Sequence, residues 1–359
     1  MLSRLSPQVR ANITKKCQEF LITRTSALPS SSSRSYGRKY SAGTFPDVLN
    51  SFIRDTNAQV DKVMEDTILR QRTLYLEMKS RTPADSTSVP ETVGMYDYYS
   101  RYETNDIFPI YCRAKNEQGL QIEEEVVLNI NELGRHVDYV HVGILKMSAD
   151  HHFIGYTLAT SAATASFDLY LKDLRRNKSY CQVVQDITGF EWSHIFYDDQ
   201  EKVHTTLFFT KADMNNRPFQ TWSVQIELCN ETVTYMSEPD LVFEEPDEAC
   251  YVDLQRTKDG KFITITSNSK SSSEVHVVES QSPTLPPKCI SPRIANVEYY
   301  IDHVQNSFYI VHNGRLASAE NTGDSADYTL STLADKDLRH QNHSSKPFLG
   351  WKNVPTGNS

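Results

Sequence analysis

The chain has 359 residues, enough for one large domain or two ordinary ones at roughly 100–200 residues each. Hydrophobic residues make up 38%, charged residues 23% and aromatics 10%, so a packed core forms and wholesale disorder is excluded. The net charge of −9 excludes a general nucleic-acid binder, which needs a clustered basic surface.

That charge is uneven. Residues 1–43 hold Arg4, Arg10, Lys15, Lys16, Arg24, Arg34, Arg38 and Lys39 against Glu19 alone, so a basic head precedes an acidic body. The head is rich in Arg and Ser, with an interrupted apolar pattern (Leu2, Leu5, Val9, Ile13, Phe20, Leu21). These are the features of a transit peptide, while Thr23, Arg24 and Thr25 break the apolar stretch that a secretory signal needs. Arg38, two residues before Tyr40, resembles a mitochondrial presequence cleavage site. The expectation is mitochondrial import; the alternative is an unstructured tail with no address, on a cytoplasmic protein. Six scattered cysteines without a C-x-x-C pair (Cys17, Cys112, Cys181, Cys229, Cys250, Cys289) read as free thiols in a reducing compartment. No stretch approaches the roughly 18 apolar residues of a membrane span, so no membrane partner is expected.

From Phe45 to Ser80 the spacing predicts a helix. Pro46 suits its first turn, and Phe52, Val60, Val63, Ile68, Leu74 and Met78 recur as one apolar stripe. The run RTPADSTSVPE then reads as a loop, and residues 44–88 form a helical extension. From Val89 short aromatic and β-branched runs between turn residues predict strands. Tyr96, Tyr98, Tyr99 and Tyr102 read as strand packing rather than a ligand platform.

A two-element repeat with a period of about 50 residues follows. Its first element is a turn and an apolar strand: SADHHFIGYT (Ser148–Thr157), YDDQEKVHTTLFFT (Tyr197–Thr210), TKDGKFITIT (Thr257–Thr266) and DHVQNSFYIVHN (Asp302–Asn313). Its second is an alternating strand: FDLYLKDL (Phe167–Leu174), QTWSVQIEL (Gln220–Leu228) and SEVHVVES (Ser273–Ser280). Sheets built this way stack radially, so residues 89–314 predict a β-propeller rather than tandem sandwiches. The proline-rich SPTLPPKCISPR (Ser282–Arg293) reads as a connection between sheets. After Gly314 the strand signal stops, and 315–359 reads as a disordered tail.

Other constellations favour structural roles. His151 and His152 read as a solvated hairpin tip with no third metal ligand, and His340 with His343 lack partner cysteines. Glu123–Glu125 and Glu244, Glu245, Asp247 and Glu248 read as solvated strand ends. No catalytic, cofactor-binding or metal-binding residue is assigned, and no cofactor is expected.

The runs YYSRYETNDIFPIYCRAK (Tyr98–Lys115), EEPDEACYVDLQRTKDGKFI (Glu244–Ile263) and HVDYVHVGILKMSADHHFIGYTLA (His136–Ala159) resemble the prolyl oligopeptidase family, most of all oligopeptidase B. DLYLKDL and the helix NAQVDKVMEDTILRQRTLYLEMKSR (Asn57–Arg81) add to the likeness, which spans Pro46 to Asn313. The resemblance implies a seven-bladed propeller that admits short peptides to an α/β-hydrolase peptidase domain. By that template the chain supplies the extension and four to five blades, and departs from the pattern in the fifth. The fold class expected is therefore mainly β, an incomplete propeller preceded by a long helix. The family's chemistry needs a serine on a G-x-S-x-G elbow, which is absent, so no catalytic residue carries over and the chain alone is expected to be inactive. The leading expectation is the N-terminal propeller portion of a serine oligopeptidase, with short peptides as partners of the complete enzyme. The alternatives are a non-catalytic interaction protein or truncated gene product, and a self-standing propeller with fewer blades that would need residues after Gly314 to fold. Open sheet edges predict self-association.

Overall fold

The computed structural model describes residues 45–81, 85–104, 106–117, 120–135, 139–159, 166–180, 182–229, 232–314, 328–338, 348 and 350–354. The basic head, Cys17, Cys181, His340 and His343 lie outside the described residues. The chain divides into two units, Met1–Thr82 and Pro83–Ser359.

In the first unit, the predicted helix forms as Phe45–Met64 (α1) and Ile68–Arg81 (α2), joined by a 3-10 turn at Glu65–Thr67. Thr67 Oγ1 donates to Met64 O at 2.7 Å in that turn and accepts from Gln71 Nε2 at 2.8 Å. Among the described residues the apolar stripe is exposed: Val63 is 74% and Ile68 58% exposed. Such a stripe calls for an apolar surface to cover it. No helix among the described residues is long and apolar enough to cross a membrane.

The second unit is mainly β, and its described residues form five antiparallel sheets in chain order. The first joins Tyr96–Tyr102, Ile110–Glu117 and Leu120–Asn129, with Ser86–Thr87 and Glu91–Val93 pairing onto Tyr96–Tyr102. In the second, His141–Met147, Phe153–Ala159, Phe167–Asp173 and Val184–Ile187 follow one another. The third runs through Gly189–Trp192, Val203–Ala212 and Pro218–Cys229 to Thr232–Tyr235 and Asp240–Glu244, both paired to Pro218–Cys229. The fourth contains Tyr251–Arg256, Phe262–Asn268, Ser273–Glu279 and Lys288–Ser291. The fifth contains Tyr299–Val304, Ser307–His312, Thr329–Ala334 and Lys352–Asn353. Five meandering sheets of this kind make an incomplete propeller.

Each seam between neighbouring sheets has its own apolar core. Leu128, Ile130, Tyr156 and Leu158 fill the first seam. Phe153, Leu171, Phe190, Trp192, Phe209 and Val224 fill the second. Phe208, Leu254, Ile263 and Ile265 lie in the third, and Phe262, Val275, Tyr299, Phe308, Leu333 and Trp351 in the fourth. Adjacent residues feed opposite seams because strand side chains alternate in direction. Gly155 permits close packing in the second seam: a Cβ there would lie 2.5 Å from the Phe190 ring.

Several expectations change. The loop before the propeller contributes Ser86–Thr87, which pair with Arg101 and Tyr102, so the β unit begins before residue 89. The proline-rich connection contains Lys288–Ser291, the last strand of the fourth sheet. The expected tail of 315–359 supplies Thr329–Ala334, the short helix Asp335–Leu338 and Lys352–Asn353. Their signal is hidden in a polar setting, but Ser331 and Leu333 are fully buried and Trp351 is 7% exposed, so apolar burial holds the segment in place.

Among the described residues, one face of the fifth sheet is uncovered. Tyr300 pairs with Val311 and Val311 with Leu330, and all three side chains are exposed.

Replacing Leu333 with Ala should lower the unfolding free energy by about 2–5 kcal/mol, because the fourth seam would be left with a cavity. Denaturant titration measures this, and an unchanged midpoint would return residues after 314 to a tail.

Candidate functional site

Two of the repeated turns share one construction. Ser148 Oγ donates to Asp150 Oδ1 at 2.6 Å, and Phe153 N donates back to Ser148 Oγ at 2.9 Å. Thr257 Oγ1 donates to Asp259 Oδ1 at 2.9 Å, and Phe262 N to Thr257 Oγ1 at 3.0 Å. One carboxylate oxygen closes the turn and leaves the other free to cross the seam. Asp150 Oδ2 accepts from the Tyr197 hydroxyl of the third sheet at 2.5 Å. Asp259 Oδ2 lies 2.6 Å from His303 Nδ1 of the fifth sheet. His303 is fully buried, its Nε2 is 2.8 Å from Asp335 Oδ1, and Lys261 pairs with the same aspartate.

The remaining seams are fastened by arginine. Arg113 of the first sheet pairs with Glu125 at 2.8 Å, lies 4.3 Å over the Tyr96 ring and donates to the carbonyl of His151 in the second sheet's turn. The His151 ring stacks on Tyr98 and lies 2.7 Å from its hydroxyl. Between the third and fourth sheets, Arg293 pairs with Glu245 at 2.5 Å, and Ser267 donates to the same carboxylate. The histidine pair is therefore not a free hairpin tip, and Glu245, 4% exposed, is not a solvated strand end. Both sit in seams because an arginine or tyrosine from a neighbouring sheet or chain segment reaches them.

The first strands of the second, third and fourth sheets converge. Lys146 Nζ donates to Glu191 Oε2 at 2.7 Å and to Leu254 O at 3.1 Å. Arg256 Nη2 returns a bond to Met147 O at 3.2 Å, and Trp192 Nε1 donates to Lys146 O at 3.1 Å. Along Tyr251–Arg256, buried Val252 and Leu254 alternate with exposed Tyr251, Asp253 and Gln255. The converging edges therefore present an aromatic and polar surface to solvent.

Burial opposes the charge on Glu245, yet the bonds from Arg293 and Ser267 hold its carboxyl below the usual carboxylate range. For Asp259, burial is likewise overcome by His303, Lys261 N and Thr257. Asp150 is held low against burial by Ser148, Tyr197 and His152 N. Burial, then Arg113, pushes the His151 imidazole down.

Nucleophilic chemistry finds little here. Ser331 Oγ and His312 Nε2 are 2.9 Å apart, but both are buried and Ser331 donates to Asn353 Oδ1. A substrate has no access to that pair. A cavity of about 220 Å³ beside the third sheet is lined by Ser193, His194, Thr206, Gln225, Met236 and Pro283. It is smaller than the roughly 300–1,000 Å³ of an ordinary ligand pocket. One group escaped the sequence reading: ligand atoms of Glu274, His276 and Cys289 lie within 4.8 Å of one another. Only strand register brings Cys289 opposite His276.

A family model described as prolyl oligopeptidase, N-terminal β-propeller domain, matches residues 44–321. Protease 2 of Moraxella lacunata is 27% identical over 268 residues, covering 73% of this chain and 37% of the relative. Dipeptidyl aminopeptidase BI of Pseudoxanthomonas mexicana is 28% identical over 276 residues, covering 73% and 36%. The chain thus spans little more than a third of the length of these relatives. Oligopeptidase B from Leishmania major superposes with a TM-score of 0.64 at 19% identity, covering 85% of this chain and 40% of that one, a likeness of fold.

Because Asp150, Glu245 and Asp259 have folded pKa values below their unfolded ones, they stabilise the sheets fully above pH ~4. That contribution is lost as pH falls through the folded values. Thermal melts should decline gently below about pH 6.5, where the unfolded chain protonates His151 and the folded one resists it, and drop more steeply below about 4; Asp259→Asn should flatten the second drop.

Proposed function

This chain belongs to the prolyl oligopeptidase family, and on that premise we propose that it forms the propeller portion of a serine oligopeptidase. It would gate the passage of short peptides to a catalytic α/β-hydrolase domain outside these 359 residues. The observation that carries the reading is the convergence of three first strands on Lys146, with Tyr251, Asp253 and Gln255 exposed along the edge. Strand edges gathered in this way build the wall of an axial passage, which admits an extended chain and excludes a folded protein. The relatives' names, a protease and a dipeptidyl aminopeptidase, support a peptide as the substrate class. The basic head adds mitochondrial import to the proposal, with a mature amino terminus at Ser41.

No nucleophile elbow lies in the sequence, so the purified chain should not hydrolyse fluorogenic peptides with arginine or lysine at the cleaved position. Measurable turnover that survives further purification would overturn this assignment.

A second reading, a non-catalytic protein that binds a partner, is favoured by the open apolar row Tyr300, Val311 and Leu330. It expects light scattering to show species heavier than one chain at rising concentration, and Val311→Lys to return them to monomer. A monodisperse monomer with a cooperative melt at all concentrations would remove this reading.

A further inference from the structure

The outer half of the fourth sheet holds three side chains that the peptide-gating role does not use. Glu274 and His276 stand two apart on Ser273–Glu279, so they project from the same face. Cys289, on the neighbouring strand Lys288–Ser291, is the register partner of His276. Their ligand atoms lie within 4.8 Å of one another, and His276 Nε2 is 2.9 Å from Glu274 Oε1. The second carboxylate oxygen, Oε2, accepts from Arg293 N at 2.8 Å, which fixes the carboxylate with Oε1 turned toward the imidazole. The Phe243 ring packs at 4.8 Å from the His276 ring and steadies it. All three residues are part-buried, which leaves solvent a route to the group.

We propose that Glu274, His276 and Cys289 form a binding site for a zinc-class divalent cation, with a solvent molecule as fourth ligand. One carboxylate oxygen, one imidazole nitrogen and one sulfur make a mixed donor set that suits zinc and disfavours the oxygen-seeking calcium and magnesium. Bonds of about 2.0–2.3 Å require ligand atoms less than 4 Å apart, so the cluster has only to contract slightly. The ion would replace the direct His276–Glu274 hydrogen bond and cross-link two strands that otherwise meet at a register shift between Val275 and His276. On binding, the Cys289 S–H and His276 Nε2–H bonds break and both protons pass to solvent, Nδ1 takes one proton back so that the imidazole stays neutral, and the freed sulfur and nitrogen electron pairs are donated to the metal. Because the ligating sulfur must give up its proton, cation and proton compete and affinity rises with pH. The Arg293 guanidinium, directed to Glu245 and Cys250, is the nearby positive charge that opposes the ion. The site stands whether or not the peptidase reading holds.

The test uses the full chain freed of metal with a chelator, then titrated with Co²⁺ and back-titrated with Zn²⁺. The expected result is one Co²⁺ per chain with a thiolate-to-cobalt charge-transfer band that Zn²⁺ abolishes. Cys289→Ser should lose the band and Cys229→Ser should keep it. Glu274→Gln, which preserves shape, should weaken binding by more than the roughly 10–100-fold typical of changes behind the ligands. Should Cys289→Ser fail to fold, alkylation of the unaltered chain decides: zinc should slow modification of Cys289 and leave Cys229 unaffected. A missing band, a band that persists without Cys289, or alkylation of Cys289 indifferent to zinc would each overturn the site.

Discussion

A sheet of four strands pairs its inner backbone groups but leaves two faces to cover, and this architecture covers them with neighbouring sheets. Burial along the strands records the position in the series. Phe153–Ala159 of the second sheet is buried at every residue, because both of its faces meet a neighbour. In the fifth sheet, Ser307–His312 alternates between buried and open, because only one face is covered. Phe208 and Phe209, adjacent in sequence, serve the third and second seams respectively. The same 2-residue period that makes a half-exposed strand thus yields a fully apolar strand when two seams draw on it.

Apolar cores do not by themselves fix how one sheet sits on the next. The charged fasteners do so, through the second oxygen of a turn carboxylate or the fork of an arginine. Asp259 holds its own turn with Oδ1 and His303 with Oδ2, so the local hairpin and the seam are set by one residue. Arg113 and Arg293 act across longer distances: Arg293 binds Glu245, a carboxylate that burial would otherwise penalise, whereas in the Arg113–Glu125 pair the arginine is the buried partner. A buried ion pair of this kind contributes orientation more than net stability. Removing one partner is costly because the other charge remains in the seam.

Much of this was legible in the sequence. The runs SADHHF and TKDGKF announce turns followed by buried strands, and both form as read. The alternation in FDLYLKDL and SEVHVVES likewise gives strands. The end of the fifth sheet was not legible, since Thr329–Ala334 has two leucines among small polar residues and follows a long polar stretch. The fasteners were less legible still. Asp150 and Asp259 signal a turn, but nothing in their local sequence reveals Tyr197 or His303 across the seam. Glu274, His276 and Cys289 meet only through register, which a one-residue slip would undo.

Stacked repeats usually communicate with nearest neighbours alone, so that terminal units fray while the rest stays folded. Lys146 departs from that pattern by bonding Leu254 O, two sheets away, while Arg256 returns the connection to Met147 O. The second and fourth sheets are thereby coupled directly, past the third. Opening of any one of these three sheets breaks bonds held by the other two, which makes them a single cooperative block in amide hydrogen exchange. The first and fifth sheets, outside that block, are free to exchange earlier and at their own rates.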